Sequence, residues 1–395
     1  MPATQLNLTE ALAHITGSDH VRVSGDIVTV SPANTQQVSE VLRYATQNGL
    51  TVTPTGGNTK QSWANPVAAN IRLDLARLNR VLEHPWQDLT CTVQAGCTWQ
   101  HLQETLAQHG QFVALDPLWP HRATVGGILA TNDSGALRHK YGSLRDLVIG
   151  MTLVLADGTI ARSGGKVVKN VAGYDLPKLM TGSFGTLAVI TEATFRLHSL
   201  PQHTQTFTVH APQAQQLAPL MANVRASHLL TQALQLRGDT NGFHLDIQLN
   251  AHPEARQNEI LQKMAVDASL KLELASDEVW QAREGLFNHE GTVIKLSVRP
   301  SDIARMIEFL KKSSNEVEFL FVAQASGLIY FALVATATTV ENYLDSFEGE
   351  YSILSSPTQE HGLRAGSNAI HVMRAIKSQF DANRTLNPGR LIGGI

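Results

Sequence analysis

The chain has 395 residues, of which 43% are hydrophobic and only 16% charged, and its net charge is −3 at neutral pH. This is a globular composition too long for one ordinary core, which excludes a disordered chain and favours about two domains. No polybasic block is present, so neither nucleic acid nor an anionic membrane surface is expected as a partner.

Taken in chain order, the start MPATQLNLTEAL lacks the basic-then-apolar order of a secretory signal. Residues 28–30 predict a strand. Val38, Val41, Leu42 and Ala45 then stand at helical spacing, with Gly49 as the stop. Residues 50–53 read as a second strand that Pro54 ends, so a β-α-β unit delivers the chain to the loop that follows. Strands are expected at 71–75 and 89–94, and a helix at 98–108 closing on Gly110. Cys91 alternates with Leu89 and Val93, which makes it a core thiol. Its spacing to Cys97 fits no common zinc or redox motif. A glycine-rich region fills 116–135. Residues 147–162, LVIGMTLVLADGTIAR, predict a hairpin turning at Asp157 and Gly158, and the apolar run inside it is too short to span a membrane. Residues 182–198 read as a loop feeding a strand, and Pro201 with the Gln/His-rich stretch after it marks a boundary. Beyond lie strands at 233–237 and 242–249, helices at 253–265 and 277–287, a strand at 292–298, a helix at 301–313 and a hairpin through Gly327. That order is α+β, built on an antiparallel sheet. The tail, 370–395, is a helix ending in T-L-N-P-G-R-L.

Two stretches carry chemistry. Residues 53–60 read T-P-T-G-G-N-T-K. A triphosphatase loop needs G-x-x-x-x-G-K-[ST], and Lys60 sits in the wrong frame for it. Gly164-Gly165-Lys166 fails as well, with Ile160 and Val167 at the positions of the first glycine and the hydroxyl. The dinucleotide fingerprint G-x-G-x-x-G follows no predicted strand. What remains is either an ordinary turn or a nest in which Gly56 and Gly57, at positive φ, aim backbone N–H groups at an anion. The second stretch, 116–135, reads DPLWPHRATVGGILATNDSG. Gly126 and Gly127 permit close backbone approach, and Thr124, Thr131, Asn132, Ser134 and Gly135 supply donors after the fixed turn of Asp116-Pro117. This favours the anion site over the bare turn.

These motifs resemble the vanillyl-alcohol-oxidase family and its PCMH-type FAD-binding domain. P-T-G-G-N-T-K is similar to its first loop and T-V-G-G-I-L-A-T-N-D-S-G to its second. R-H-K-Y-G-S-L-R-D, L-V-L-A-D-G-T and G-T-L-A-V-I-T-E follow in the family's order, and L-N-P-G-R resembles its C-terminal return segment. The resemblance implies an α+β fold: a PCMH-type FAD-binding domain over 1–200, in two subdomains split near 80, and a smaller α+β cap or substrate domain with an antiparallel sheet over 201–369. Residues 370–395 would return to the FAD domain. It implies non-covalent FAD, since the first loop has neither His nor Cys and His121 in the second reads as a polar contact. Pro54, Thr55, Gly56, Gly57, Asn58 and Thr59 would line the pyrophosphate. Asp116, Pro117, Thr124, Gly126, Gly127, Thr131, Asn132, Ser134 and Gly135 would follow the pyrophosphate and ribityl chain, and Val189 and Ile190 would meet the adenine end. Ala188 stands where the family more often has glycine.

K-N-V-A-G-Y-D-L-P-K-L resembles a strip of the flavin-dependent 2-hydroxy-acid dehydrogenases, near the glycolate oxidase subunits, and would set Lys166 and Lys169 near the flavin. The single-chain members carry His-x-Gly-Asp-Gly-Asn-x-His. Among the sixteen histidines the nearest approach, His244 with His252, is one residue too long and lacks Gly-Asp-Gly, so no metal site is expected. The chain is also shorter than single-chain relatives, which resembles the smaller FAD-binding (E) subunit of bacterial glycolate oxidases. Its expected partners are a larger FAD subunit bearing the metal–histidine motif and an iron–sulfur subunit, with a small 2-hydroxy acid as substrate. A cytoplasmic chain that reaches the inner membrane only through partners is implied. A stand-alone dehydrogenase, in which Tyr174, Arg364, Arg374 and Lys377 would furnish base and carboxylate clamp, and a non-catalytic FAD-binding assembly subunit remain open.

Overall fold

Helix Thr35–Gln47 shows how sequence becomes local structure. The side chain of Asn34 accepts the Gln37 N–H at 2.9 Å, capping the first turn. Val38, Val41, Leu42 and Ala45 are fully buried along one face, as their spacing predicts, and Gly49 ends the turn at φ +64°. The structure is a computed structural model that describes residues 3–165, 175–239, 242–250, 256–313, 319–333, 350–356, 362–364 and 369–395. It is α+β, and the chain divides into two compact units.

The first unit comprises Met1–Asp133, Ser143–Leu200 and Ala365–Ile395. One sheet runs in the order Val21–Ser24, Ile27–Val30, Ile71–Asp74, Val52–Thr55; the first pair is antiparallel and the others parallel. Pro54 lies inside the last strand rather than ending it. The Val52 N–H points away from the sheet to Thr385 O at 2.7 Å, and Pro54, two residues on, shares that outward side, where no ladder N–H is required. A second sheet is wholly antiparallel, in the order Val81–Glu83, Thr90–Gln94, Val189–Arg196, Val148–Val154, Ile160–Gly164. Its hairpin turns at Gly158, φ +86°, as the Asp-Gly pair predicts. Helix Trp99–Ala107, capped by Thr98, packs Trp99, Leu102 and Leu106 into a core with Cys91, Val93, Ile128 and Phe195.

Both cysteines are buried there, and burial pushes the Cys91 thiol up to about 12 and the Cys97 thiol to about 11. They are core thiols with little thiolate character.

The second unit comprises Ser134–Gly142 and Pro201–Arg364. Among the described residues, nine antiparallel strands lie in the order Leu272–Ala275, Thr204–Ala211, Phe243–Asn250, Thr231–Gly238, Phe319–Gln324, Leu328–Leu333, Thr292–Ser297, Glu350–Ser355, Gly362–Arg364. Helices Ala214–Ala226, Gln257–Asp267 and Ile303–Ser313 bury Leu217, Leu220, Leu261, Ile307 and Leu310 against alternate strand residues such as Leu245 and Ile247. Five of these elements were not expected from the sequence: strands Leu272–Ala275, Glu350–Ser355 and Gly362–Arg364, and the two that follow. Strand Thr204–Ala211 occupies the Gln/His-rich stretch taken as a boundary, and helix Ala214–Ala226 tolerates Pro219 because its apolar face is well buried. Helix Ala3–Thr16 was also unforeseen, and 277–287 folds as short 3-10 and α turns rather than one helix. Among the described residues no helix is long and apolar enough to cross a membrane.

Candidate functional site

The first unit holds an open cleft, with about 770 Å³ of empty space when the solvent at its mouth is included. Three loops and the chain's tail line it. The first loop contributes Pro54, Thr55, Gly56, Gly57, Asn58 and Thr59, followed by Lys60 and Gln61. The second contributes Thr124, Gly126, Gly127, Ala130 and Thr131. The third, Phe184, Gly185, Ala188, Val189 and Ile190, ends in the middle strand of the antiparallel sheet.

The glycines work differently from the expectation. Gly56 and Gly57 do not have positive φ; Asn58 carries the left-handed turn at φ +54°. What the glycines provide is absence of a side chain where the first two loops touch. A Cβ on Gly56 would lie 2.2 Å from Thr124 Oγ1, and one on Gly57 would lie 1.8 Å from the carbonyl oxygen of Arg122. Gly126 likewise lets its loop close on the strand end, since its Cβ would stand 2.9 Å from that of Ala95. Backbone bonds from Gly126 N–H to Ala95 O (2.7 Å) and Val125 N–H to Cys97 O (2.9 Å) fix that contact.

The electrostatics favour an anion. Among the described residues, the N–H groups of Gly56, Gly57, Asn58 and Thr59 donate to no protein acceptor, and neither does that of Gly127. A row of unspent donors in one concave loop suits an acceptor-only group such as a pyrophosphate. Lys60 does not supply the charge. It is buried, and its Nζ lies 3.3 Å from Asp133 Oδ2, donates to Leu118 O at 3.3 Å, and stands 5.3 Å from the centroid of the Trp119 ring. Asp133, fully buried, also accepts the Leu118 N–H at 2.8 Å. Lys60 is a strut between the first loop and the second.

Not every expected residue lines the cleft. Asp116, Pro117, Asn132, Ser134, Gly135 and His121 do not. Ser134 belongs to the second unit, where its carbonyl accepts from Arg283 Nη1 at 2.6 Å and Gln324 Nε2 at 3.1 Å. The buried Arg283 guanidinium lies 5.2 Å from the Tyr330 ring centroid and Lys295 Nζ 5.8 Å from it, while Ser134 Oγ and Gln324 Oε1 have no partner among the described residues. Sequence reasoning did not single out this polar cluster, because Arg283, Lys295, Gln324 and Tyr330 are scattered over four elements.

Of the catalytic candidates, Lys377 is buried and its Nζ donates to Asp381 Oδ2 (2.6 Å), Thr186 O (2.7 Å) and Leu386 O (2.7 Å), which uses all three protons. Burial lowers its pKa despite the carboxylate. Arg374 is spent on Gly393 O at 2.9 Å. Tyr174, Lys166 and Lys169 lie outside the described residues, as does the side chain of Arg364. His244 sits on a strand with its ring 4.9 Å from that of His210, and burial lowers its pKa; His252 is outside the described residues.

Two cleft residues come from the tail and were not foreseen as ligands. Asn387, at φ +43°, donates Nδ2 to Phe184 O at 2.8 Å and leaves its buried Oδ1 without a partner among the described residues. Arg390 reaches Asn65 O at 2.7 Å and Gln61 O at 2.8 Å. Their signal in the sequence was L-N-P-G-R itself.

Comparison with known proteins agrees with this geometry. Residues 27–164 match the family described as FAD binding domain. The chain is 32% identical to glycolate oxidase subunit GlcD of Bacillus subtilis (strain 168), over 92% of this chain and 88% of that one. It is 28% identical to the mitochondrial cytochrome-type D-lactate dehydrogenase of Arabidopsis thaliana, over 95% of this chain and 75% of that one. Among solved structures, p-cresol methylhydroxylase with substrate bound superimposes with a TM-score of 0.74 at 16% identity, covering 99% of this chain and 97% of that one. Fold and cleft together define an FAD-binding protein of the PCMH type. Within that class, the chain belongs to the family of FAD-dependent hydroxy-acid dehydrogenases and oxidases.

Proposed function

We propose that the chain is the FAD-binding subunit of a glycolate oxidase complex, oxidising glycolate or another small 2-hydroxy acid to the 2-oxo acid and passing electrons through a partner iron–sulfur subunit to quinone. The supporting observation is the identity with GlcD across nearly the whole chain, coupled to a cleft whose unspent N–H groups suit a pyrophosphate. A larger FAD subunit would complete the complex. FAD, when bound, supplies the two-electron acceptor for oxidation of the C–H and O–H of the substrate carbinol.

The chain's own residues have distinct tasks in this reading. The first loop, residues 54–59, holds the pyrophosphate by backbone amides. Thr124, Gly126, Gly127 and Thr131 form the opposite wall, with Asp116, Pro117 and Asn132 setting the ends of that loop. Val189, Ile190 and Ala188 give an apolar surface for the adenine end. Retention is non-covalent, in keeping with His121 being exposed and off the cleft. The first unit acts as the flavin domain, as expected for most of 1–200 with 370–395, and the second, which takes in 134–142 besides most of 201–369, as the cap. Arg283 and Lys295, both cationic and both beside Tyr330, are the groups suited to a substrate carboxylate. The location is cytoplasmic, with membrane contact only through partner subunits.

A second reading, a stand-alone D-2-hydroxy-acid dehydrogenase, is favoured by the likeness to the Arabidopsis D-lactate dehydrogenase. The purified lone chain decides. Turnover of glycolate or D-lactate with an artificial acceptor overturns the subunit reading. A yellow, inactive chain that gains activity when combined with the larger flavin subunit and the iron–sulfur subunit supports it. A yellow chain that adds only stability to an already active complex marks an assembly subunit instead.

A further inference from the structure

We propose that Arg390, brought to the cleft by the C-terminal segment, supplies the positive charge that neutralises the flavin's pyrophosphate, and that Asn387 beside it accepts a hydrogen bond from the same bound flavin. This rests on the FAD reading of the cleft.

The argument starts from an imbalance of charge. Arg390 is only 6% exposed. Its Nη1 donates to Asn65 O at 2.7 Å, and its Nη2 to Gln61 O at 2.8 Å and Gln61 Oε1 at 3.3 Å. All three acceptors are neutral. Among the described residues no carboxylate pairs with it, and its Nε–H has no acceptor. Buried guanidinium groups are ordinarily paired, because an uncompensated charge in the interior is strongly disfavoured. Burial pushes its pKa down to about 10, which still leaves it cationic at neutral pH. A cation held without its counter-ion, lining a cleft of unspent N–H groups, is complementary to an anion that the protein does not itself contain. With both Nη2 protons and one Nη1 proton taken, the Nε–H and the second Nη1 proton remain for charge-assisted bonds to phosphate oxygens.

Asn387 gives the second, independent mark. Only 4% exposed, it is fixed at both ends, by its own N–H to Val52 O at 2.9 Å and by Nδ2 to Phe184 O at 2.8 Å. Its Oδ1 is therefore held in one direction, buried, and without a partner among the described residues. Such an acceptor suits a ribose or ribityl hydroxyl, or a ring N–H, on the ligand that meets Arg390. Lys60 cannot take the role of Arg390, because Asp133 already neutralises it.

The test uses the full chain stripped of flavin, titrated calorimetrically with FAD, with ADP, which carries the diphosphate and adenine, and with riboflavin, which carries neither. Arg390→Gln is expected to weaken FAD and ADP by ~10- to 100-fold, the loss for one hydrogen-bonded charge, and to leave riboflavin nearly unchanged. Arg390→Lys restores most of the ADP affinity, and the salt dependence of ADP binding is flatter in Arg390→Gln than in the wild type. Asn387→Ala weakens FAD by ~3- to 10-fold. Undiminished FAD and ADP affinity in Arg390→Gln overturns the proposal. So does equal weakening of riboflavin and ADP, which marks a merely structural residue. If Arg390→Gln fails to fold, the wild type and Arg390→Lys decide: ADP binding indifferent to salt overturns the proposal, and salt-sensitive binding retained by Arg390→Lys supports it. A wild-type chain that binds riboflavin, ADP and FAD not at all overturns the cofactor reading, and this inference with it.

Discussion

Replacing Gly57 by alanine tests whether the two cleft loops must touch. The added Cβ would sit 1.8 Å from the Arg122 carbonyl oxygen and 2.8 Å from its carbon, whereas ordinary contact begins near 3.4 Å. The loops would have to part by about 1.6 Å, the difference between 3.4 and 1.8. The obstacle is backbone, so no side-chain rotation relieves it, and an overpacking cost of about 1–3 kcal/mol is expected. On the proposed FAD reading, the same displacement would carry the N–H groups of residues 57–59 away from the pyrophosphate they are proposed to hold. Losing one charge-assisted hydrogen bond is worth about 1.5–3 kcal/mol, or ~10- to 100-fold in Kd. The assay is FAD titration by flavin fluorescence, alongside urea unfolding of the apoprotein. Gly127→Ala is the control, because its Cβ would meet only Thr124 Oγ1, at 3.3 Å. It should retain flavin within about threefold, a cost under 1 kcal/mol. Wild-type FAD affinity in Gly57→Ala, or equal losses in the two variants, would refute the argument from loop contact.

Other outcomes follow from particular side chains. Lys60→Met strands the fully buried Asp133 carboxylate and should lower unfolding free energy by about 3–5 kcal/mol in urea, while any folded fraction keeps most of its FAD affinity. A folded, stable variant that has lost FAD alone would show that Lys60 holds phosphate after all. Lys377→Met removes the cation that ties Asp381 to the carbonyls of Thr186 and Leu386, with a loss of similar size, about 3–5 kcal/mol, measured the same way. An unchanged urea midpoint would contradict its role as a strut. Cys91 and Cys97 should resist iodoacetamide at pH 8 in the native protein and react on unfolding, read by mass spectrometry. Their raised values also set a pH trend. Unfolded thiols ionise near 9 and the folded ones only near 11 and 12, so this contribution to stability is whole below pH 9 and declines as pH rises from there. Rapid native alkylation would disprove the buried placement.

Much of the flavin unit was legible because its signals are local. Asn34, the 3.6-residue spacing of Val38 to Ala45 and the Asp157-Gly158 turn each act within a few residues, and the structure follows them. Helix Ala214–Ala226 was not legible, because Pro219 and its glutamines read as loop while the burial of Leu217 and Leu220 that stabilises it depends on distant strands. The cleft was half legible. Its two Gly-Gly loops announced close approach, but sequence could not say what approaches what. The absent Cβ atoms of Gly56 and Gly57 face the other loop. Arg390 escaped notice for the same reason. Its acceptor on the first loop lies 329 positions earlier, and only the folded chain brings Gln61 and Arg390 together.

The pairing of Val52 with Leu386, and the bonds that flank it, has a consequence for the order of events in the cell. The first loop emerges from the ribosome early, yet the edge strand that carries it stays unpaired on its outer side until residues 385–387 have been made. At ordinary translation rates of about 5–20 residues per second, that interval is roughly 20–70 s. On the proposed FAD reading, loading of the cofactor is expected to be a late step, and chains released before residue 385 should accumulate colourless, with an open strand edge exposed to aggregation.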